Sequence, residues 1–125
     1  MKQELINKNK KRFDYDLEER LCLFVESVIE LVKKIPKNSV NNRMISQVIA
    51  SSGSSSANYG EACEAESKKD FKHKISIVNK ELRETKNWLR FLAKANPEFK
   101  KEFRKIWQEA HELKLIFSKI KSSCK

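Results

Sequence analysis

FKHKISIVNKELRETKNWLRFL, residues 71–92, decides the fold. Phe71, Ile75, Val78, Leu82, Thr85, Leu89 and Leu92 recur at alternating steps of four and three. A spacing that averages 3.5 places one residue per turn on a single face of a helix. The same step recurs on either side of this segment. Leu17, Leu21, Phe24, Val28, Leu31 and Ile35 form one stripe, and Phe99, Phe103, Ile106, Ala110, Leu113, Phe117 and Ile120 form another. Between them Ile45, Ile49, Ser52, Ser56, Tyr59 and Cys63 keep the step with mostly small residues. Four stripes on four helices are hidden by turning them toward a common axis. The expected fold is all-α, an antiparallel up-down-up-down four-helix bundle.

Local signals divide the chain. Residues 1–12 are polar and lysine-rich and read as a basic, frayed tail, and residues 13–125 read as a single bundle domain. Asp16 with Glu19 has the capping-box spacing, which starts the first helix there, and Pro36 stops it after Ile35. Ser39 is the expected cap of a second helix that runs to about Ala65. Ser67 and Asp70 open the third, which runs to Ala95, and Asn96-Pro97 opens the fourth. Such short connections make sequence neighbours antiparallel.

SSGSSSA, residues 51–57, reads equally well as a flexible linker. Its serines and glycine cost about 3 kcal/mol of helix propensity relative to alanine. The alternative is a helix kept slim so that a neighbour comes close. The stripe decides for helix, because Ile49, Ser52, Ser56 and Tyr59 stay in phase across the run.

The chain has 125 residues, enough for one domain with a real core. Two glycines and two prolines argue against an all-β fold. No apolar run nears the roughly 20 residues that span a bilayer. The basic start has no apolar segment behind it, so no secretory signal is expected there. Three scattered cysteines, Cys22, Cys63 and Cys124, argue against a disulfide framework and fit a reducing cytoplasm, with Cys63 inside the bundle.

No catalytic constellation emerges. A bundle di-metal site needs inward Glu-x-x-His pairs from two helices. Asp70 and His73 supply a single Asp-x-x-His, and His73 lies opposite the core stripe. There is no Cys-x-x-Cys pair and no glycine-rich phosphate loop. The expectation is a protein that is not an enzyme and takes no metal, cofactor or small-molecule substrate.

The net charge is +10 and is unevenly placed. Residues 67–95 carry +6 and residues 96–125 carry +4, whereas residues 13–66 are net acidic. Opposite the core stripe of the third helix stand Lys69, Lys80, Arg83, Arg90 and Lys94, with no acid among them. An ordinary solvated face has this composition, and so does a phosphate-tracking one. No aromatic interrupts this stripe, so the binding it predicts is led by charge or shape rather than by base stacking. Ile77, Trp88 and Phe91 lie on a shoulder of the third helix, and Trp107 lies off the stripe of the fourth. These four are a candidate oligomer interface, where large aromatics are enriched.

The segment from Arg43 to Leu92 resembles a known family. It holds ISQVI (45–49), a small-residue run ending in Ala57, Asn58 and Tyr59, and EACEAES (61–67). Asp70, Phe71, Lys74, Glu81, Glu84, Thr85, Trp88 and Leu89 follow in order. These elements resemble the four-helix bundle proteins encoded in intervening sequences of bacterial 23S ribosomal RNA genes. Ser54, Ser55 and Ser56 depart from it, because relatives more often place an isoleucine or valine there. The resemblance implies a bundle and no enzymatic activity. More distantly it reaches the accessory protein of diversity-generating retroelements, a basic pentameric bundle that binds nucleic acid. It therefore implies a homo-oligomer, a pentamer in some relatives, with RNA or DNA as partner. The rival expectation is a protein-interaction or scaffold module whose basic charge is incidental.

Overall fold

The computed structural model describes residues 2–124, with side chains from Asp16 onward. Four helices carry nearly all of it: α1 (Lys2–Val32), α2 (Ser39–Cys63), α3 (Lys68–Ala95) and α4 (Lys100–Ser123). A 3-10 turn, Pro97–Phe99, leads into α4. No strand occurs among the described residues. α1 packs on α2, α2 on α3 and α3 on α4, and α4 closes back on α1.

Three of the four stripes form the core as the spacing predicts. Leu17, Leu21, Phe24, Val28 and Leu31 are buried from α1, and Ile35 is buried just beyond its end. Ile75, Val78, Leu82, Thr85, Leu89 and Leu92 are buried from α3, and Phe103, Ala110, Leu113 and Phe117 from α4. Each large apolar side chain so buried contributes about 1.5–3 kcal/mol.

The residues 51–57 are helical throughout, in the middle of α2. The buried face of α2, however, is Asn41, Val48, Ser51, Ser52, Ser55, Tyr59 and Ala62. The predicted stripe is off by about one residue: Ile49 is 39% exposed and Cys63 is exposed. Cys63 is therefore not inside the bundle. Buried serines make this possible by satisfying themselves. Ser52 Oγ donates to Val48 O at 2.7 Å and Ser55 Oγ to Ser52 O at 2.6 Å. Ser51 Oγ shares a hydrogen bond with Thr85 Oγ1 across the α2–α3 contact at 2.8 Å. Each buried hydroxyl would otherwise cost about 1–3 kcal/mol.

Helix ends follow the sequence with three corrections. α1 extends back to Lys2, so Asp16 lies within it rather than capping it. The backbone of residues 2–12 is part of this helix; their side chains lie outside the described residues. α2 is capped one residue early, by Asn38, whose Oδ1 accepts from the Asn41 N–H at 2.8 Å. Ser67 caps α3 as expected, with Oγ accepting from the Asp70 N–H at 3.0 Å. Asn96 makes no cap bond with its side chain, although Pro97 does open the 3-10 turn. Instead Asn96 is buried and pairs with Asn41. Each side-chain amide donates to the other's oxygen at 2.9 Å. Asn96 Nδ2 also donates to Leu92 O, and Asn41 Nδ2 to Pro36 O. A two-way amide bond thus ties the α1–α2 turn, the start of α2 and the α3–α4 turn. α1 and α4 are clasped by Arg20, which meets Glu109 through two nitrogens at 2.9 and 2.8 Å and Glu112 at 3.1 Å.

Candidate nucleic-acid interface

α3 buries one face, and the remainder divides into two sides. The side toward α4 carries Asn79, whose amide donates to Ser118 Oγ at 2.8 Å, and Lys86, whose Nζ lies 2.9 Å from His111 Nδ1. The side toward α2 carries Lys74, which pairs with Glu61 at 3.3 Å. Trp88 is two residues from Lys86, about 200° of helix rotation, and so belongs to the α2 side.

Lys69, Lys80, Arg83, Arg90 and Lys94 are all exposed, opposite the core. Among the described residues the ion pairs are those of Arg20 and Lys74, and none engages these five. Three of the five, Arg83, Arg90 and Lys94, line a groove of about 850 Å³ between α3 and α4. Lys69 and Lys80 do not line it. The groove gains Lys86 from the flank of α3, and Lys100, Arg104 and Lys114 from α4. No acidic residue is part of its lining. The charge reading from α3 alone missed the α4 cations. Their signal was available, because Lys100, Arg104, Trp107 and Gln108 recur at three- and four-residue steps along one side of α4.

The four aromatic-shoulder residues do not form one surface. Trp88 and Phe91 meet edge to face, with ring centroids 5.9 Å apart. Phe91 is 47% exposed, and Ile77 is half-buried on the same side of α3. Trp107 instead lines the basic groove. His111, one turn along α4, stacks on its indole at 5.2 Å and 10° between planes. Lys86 Nζ sits 4.8 Å from the indole centroid. Trp107 is thus separated from the other three by the body of α3. An aromatic does stand in the basic surface, contrary to what the α3 stripe alone suggested.

The electrostatics of the two sides differ. Burial first, then the charges of Lys114 and Arg83, hold the Lys86 ammonium below its ordinary value. Like charges lie close here without an acid to offset them. Since ammonium has no acceptor, Lys86 donates to His111 Nδ1. On the α2 side, Glu81 is pushed above the usual carboxylate range by burial and then by Glu84.

Among the described residues no group of three or more His, Cys, Asp or Glu side chains could hold a metal ion. Asp70 and His73 are both exposed. No helix among the described residues is long and apolar enough to cross a membrane.

Comparison with known proteins agrees with this architecture. A crystal structure of a protein of unknown function from the S23 ribosomal protein family of Bacteroides thetaiotaomicron VPI-5482 is similar, with a TM-score of 0.76. It is 24% identical, and the match covers 86% of this chain and 99% of that one. At this identity the likeness speaks to the fold. Comparison with curated proteins finds no match. Residues 14–121 match the family described as 23S rRNA-intervening sequence protein. With nearly its whole length matched, the chain belongs to the 23S rRNA-intervening sequence protein family.

Proposed function

We propose that this protein is a non-catalytic, self-associating cytoplasmic bundle that binds RNA or DNA through the basic side of α3 and α4. Its helices run up-down-up-down, as short connections and packing between chain neighbours favour. The observation that carries the binding reading is the α3–α4 groove, with seven cations in its lining and no acid. The α3 stripe alone has the composition of an ordinary solvated face, but the groove adds four cations from a flank of α3 and from α4, again without an acid. A run of cations without acids concentrates positive potential and raises the local concentration of polyanions. Self-association rests on the exposed Phe91 beside Trp88, and a pentamer is the assembly that the family resemblance suggests.

A structured RNA titrated with the protein over a salt series tests the binding reading. Each phosphate contact releases condensed counterion, so log affinity falls linearly with log salt. With all seven groove cations engaged, the slope is about −5 to −6 at 0.7–0.9 per contact. Absence of binding at low salt overturns the reading. The scaffold alternative, favoured by the Trp88–Phe91 pair as a protein contact, then takes its place.

A further inference from the structure

We infer that the α3–α4 groove is a site for single-stranded nucleic acid, with Trp107 as the platform on which a base stacks. This rests on the nucleic-acid reading above and narrows it. A groove that grips single strands combines cations along the backbone path with an aromatic face for the bases. Both are present. Arg83, Arg90 and Lys94 line one wall over about 16 Å of helix, and Lys100 and Arg104 stand on the other. Trp107 is half-buried between the walls and is part of the groove lining.

The dimensions argue against a duplex as the occupant. Packed helices lie with their axes about 8–10 Å apart. A double helix is wider than this; the major groove of B-form DNA alone is about 12 Å wide. A duplex lies across such a cleft and touches its rims; a single strand enters it and reaches the floor. The indole already holds a flat ring: His111 stacks on it, and Lys86, bonded to His111, holds its ammonium over the same ring, so a base stacks by taking the place of the His111 imidazole. A base on Trp107 would carry its phosphate beside Lys86, with Lys114 and Arg83 also in the groove lining.

The test uses the whole protein and two probes. One is an unstructured RNA strand of about ten nucleotides, within the site sizes of such grooves; the other is the duplex it forms with its complement. In a Trp88→Phe background, Trp107 is the sole indole, and its fluorescence reports stacking without alteration of the site. The expected result is tighter binding of the single strand than of the duplex, with quenching of Trp107. Trp107→Leu, which keeps an apolar side chain but no π-face, should weaken single-strand binding about 5- to 150-fold with the salt slope unchanged. Trp107→Phe should restore most of the loss. If Trp107→Leu fails to fold, the quenching measurement decides alone. Duplex binding as tight as single-strand binding, or binding without quenching, overturns the inference and leaves the broader nucleic-acid reading intact. Binding of neither probe overturns both.

Discussion

The two sides of α3 solve different problems with neighbouring residues. Toward α2 the contact is closed and self-satisfied. Ser51 meets Thr85, Asn41 meets Asn96, and Lys74 meets Glu61. Toward α4 the core is equally well filled, but above it the helices leave a groove whose cations face no acid. The first arrangement holds the bundle together. The second leaves electrostatic energy unspent, which is what a surface awaiting a polyanion needs. Stability and binding should therefore separate by side in mutational data.

The largest expected effect lies on the α4 side. Reversing Arg83, Arg90 and Arg104 to glutamate should weaken nucleic-acid binding about 100-fold at 0.1 M salt and flatten the salt slope by about 2–3. All sequences should be affected alike, because phosphate contacts carry no base information. The melting curve should hold, since these side chains are exposed. If affinity and slope are unchanged in folded protein, the two sides do not differ in binding and the groove is an ordinary solvated surface.

On the other side, Phe91→Lys should lower the mass seen by light scattering toward the 14.7 kDa of one chain while leaving stability nearly unchanged. Native protein should scatter as several times that mass. A native monomer at tens of micromolar removes self-association altogether.

The closed contact should show itself in stability. Asn96→Leu orphans an oxygen of buried Asn41 and should cost about 1–3 kcal/mol in denaturant melts, with binding unaltered in the protein that remains folded. Ser52→Leu should cost about as much by overpacking, because Ser52 has no exposed surface. Ser56 is half-buried, and the same change there should cost less. Equal, negligible effects at both serines would mean that α2 is not closely packed.

The smallest effect has the opposite sign. A Cβ on Gly53 would meet nothing within 4 Å, and its φ is not positive. Gly53→Ala should therefore stabilise by about 0.5–1 kcal/mol, because only backbone entropy changes. A loss of stability there would mean that the outer surface of α2 is covered by another copy of the chain.

The sequence was most legible where side chains contrast. Leucine, isoleucine and phenylalanine against lysine and glutamate fixed the phase of α1, α3 and α4. In α2 the middle of the buried face is Ser51, Ser52 and Ser55, which look polar whichever way they point. The phase had to be carried from Ile45 and Ile49, and it slipped by one position, so that Cys63 was placed inside. Asn96 was misread for a related reason. Asn before Pro is a strong helix-start signal, and nothing local announces a partner 55 residues away. The candidate site was half legible. Arg83, Arg90 and Lys94 follow from one helix, but the groove exists only when α4 lies alongside. Trp107 could not be moved from an apolar interface to a basic floor until Lys86 and His111 stood next to it.

The Asn41–Asn96 pair has a consequence for motion. It joins two turns that lie far apart in the chain, so neither can open without stripping hydrogen bonds from the other. Opening at this end should thus be a single event rather than two. In hydrogen exchange, the backbone amides around residues 34–42 and 96–99 should share one opening free energy and lose protection together. At the opposite end Ser67 caps α3 and Lys74 pairs with Glu61 across the α2–α3 connection, and the amides there should exchange separately from those of the Asn41–Asn96 end.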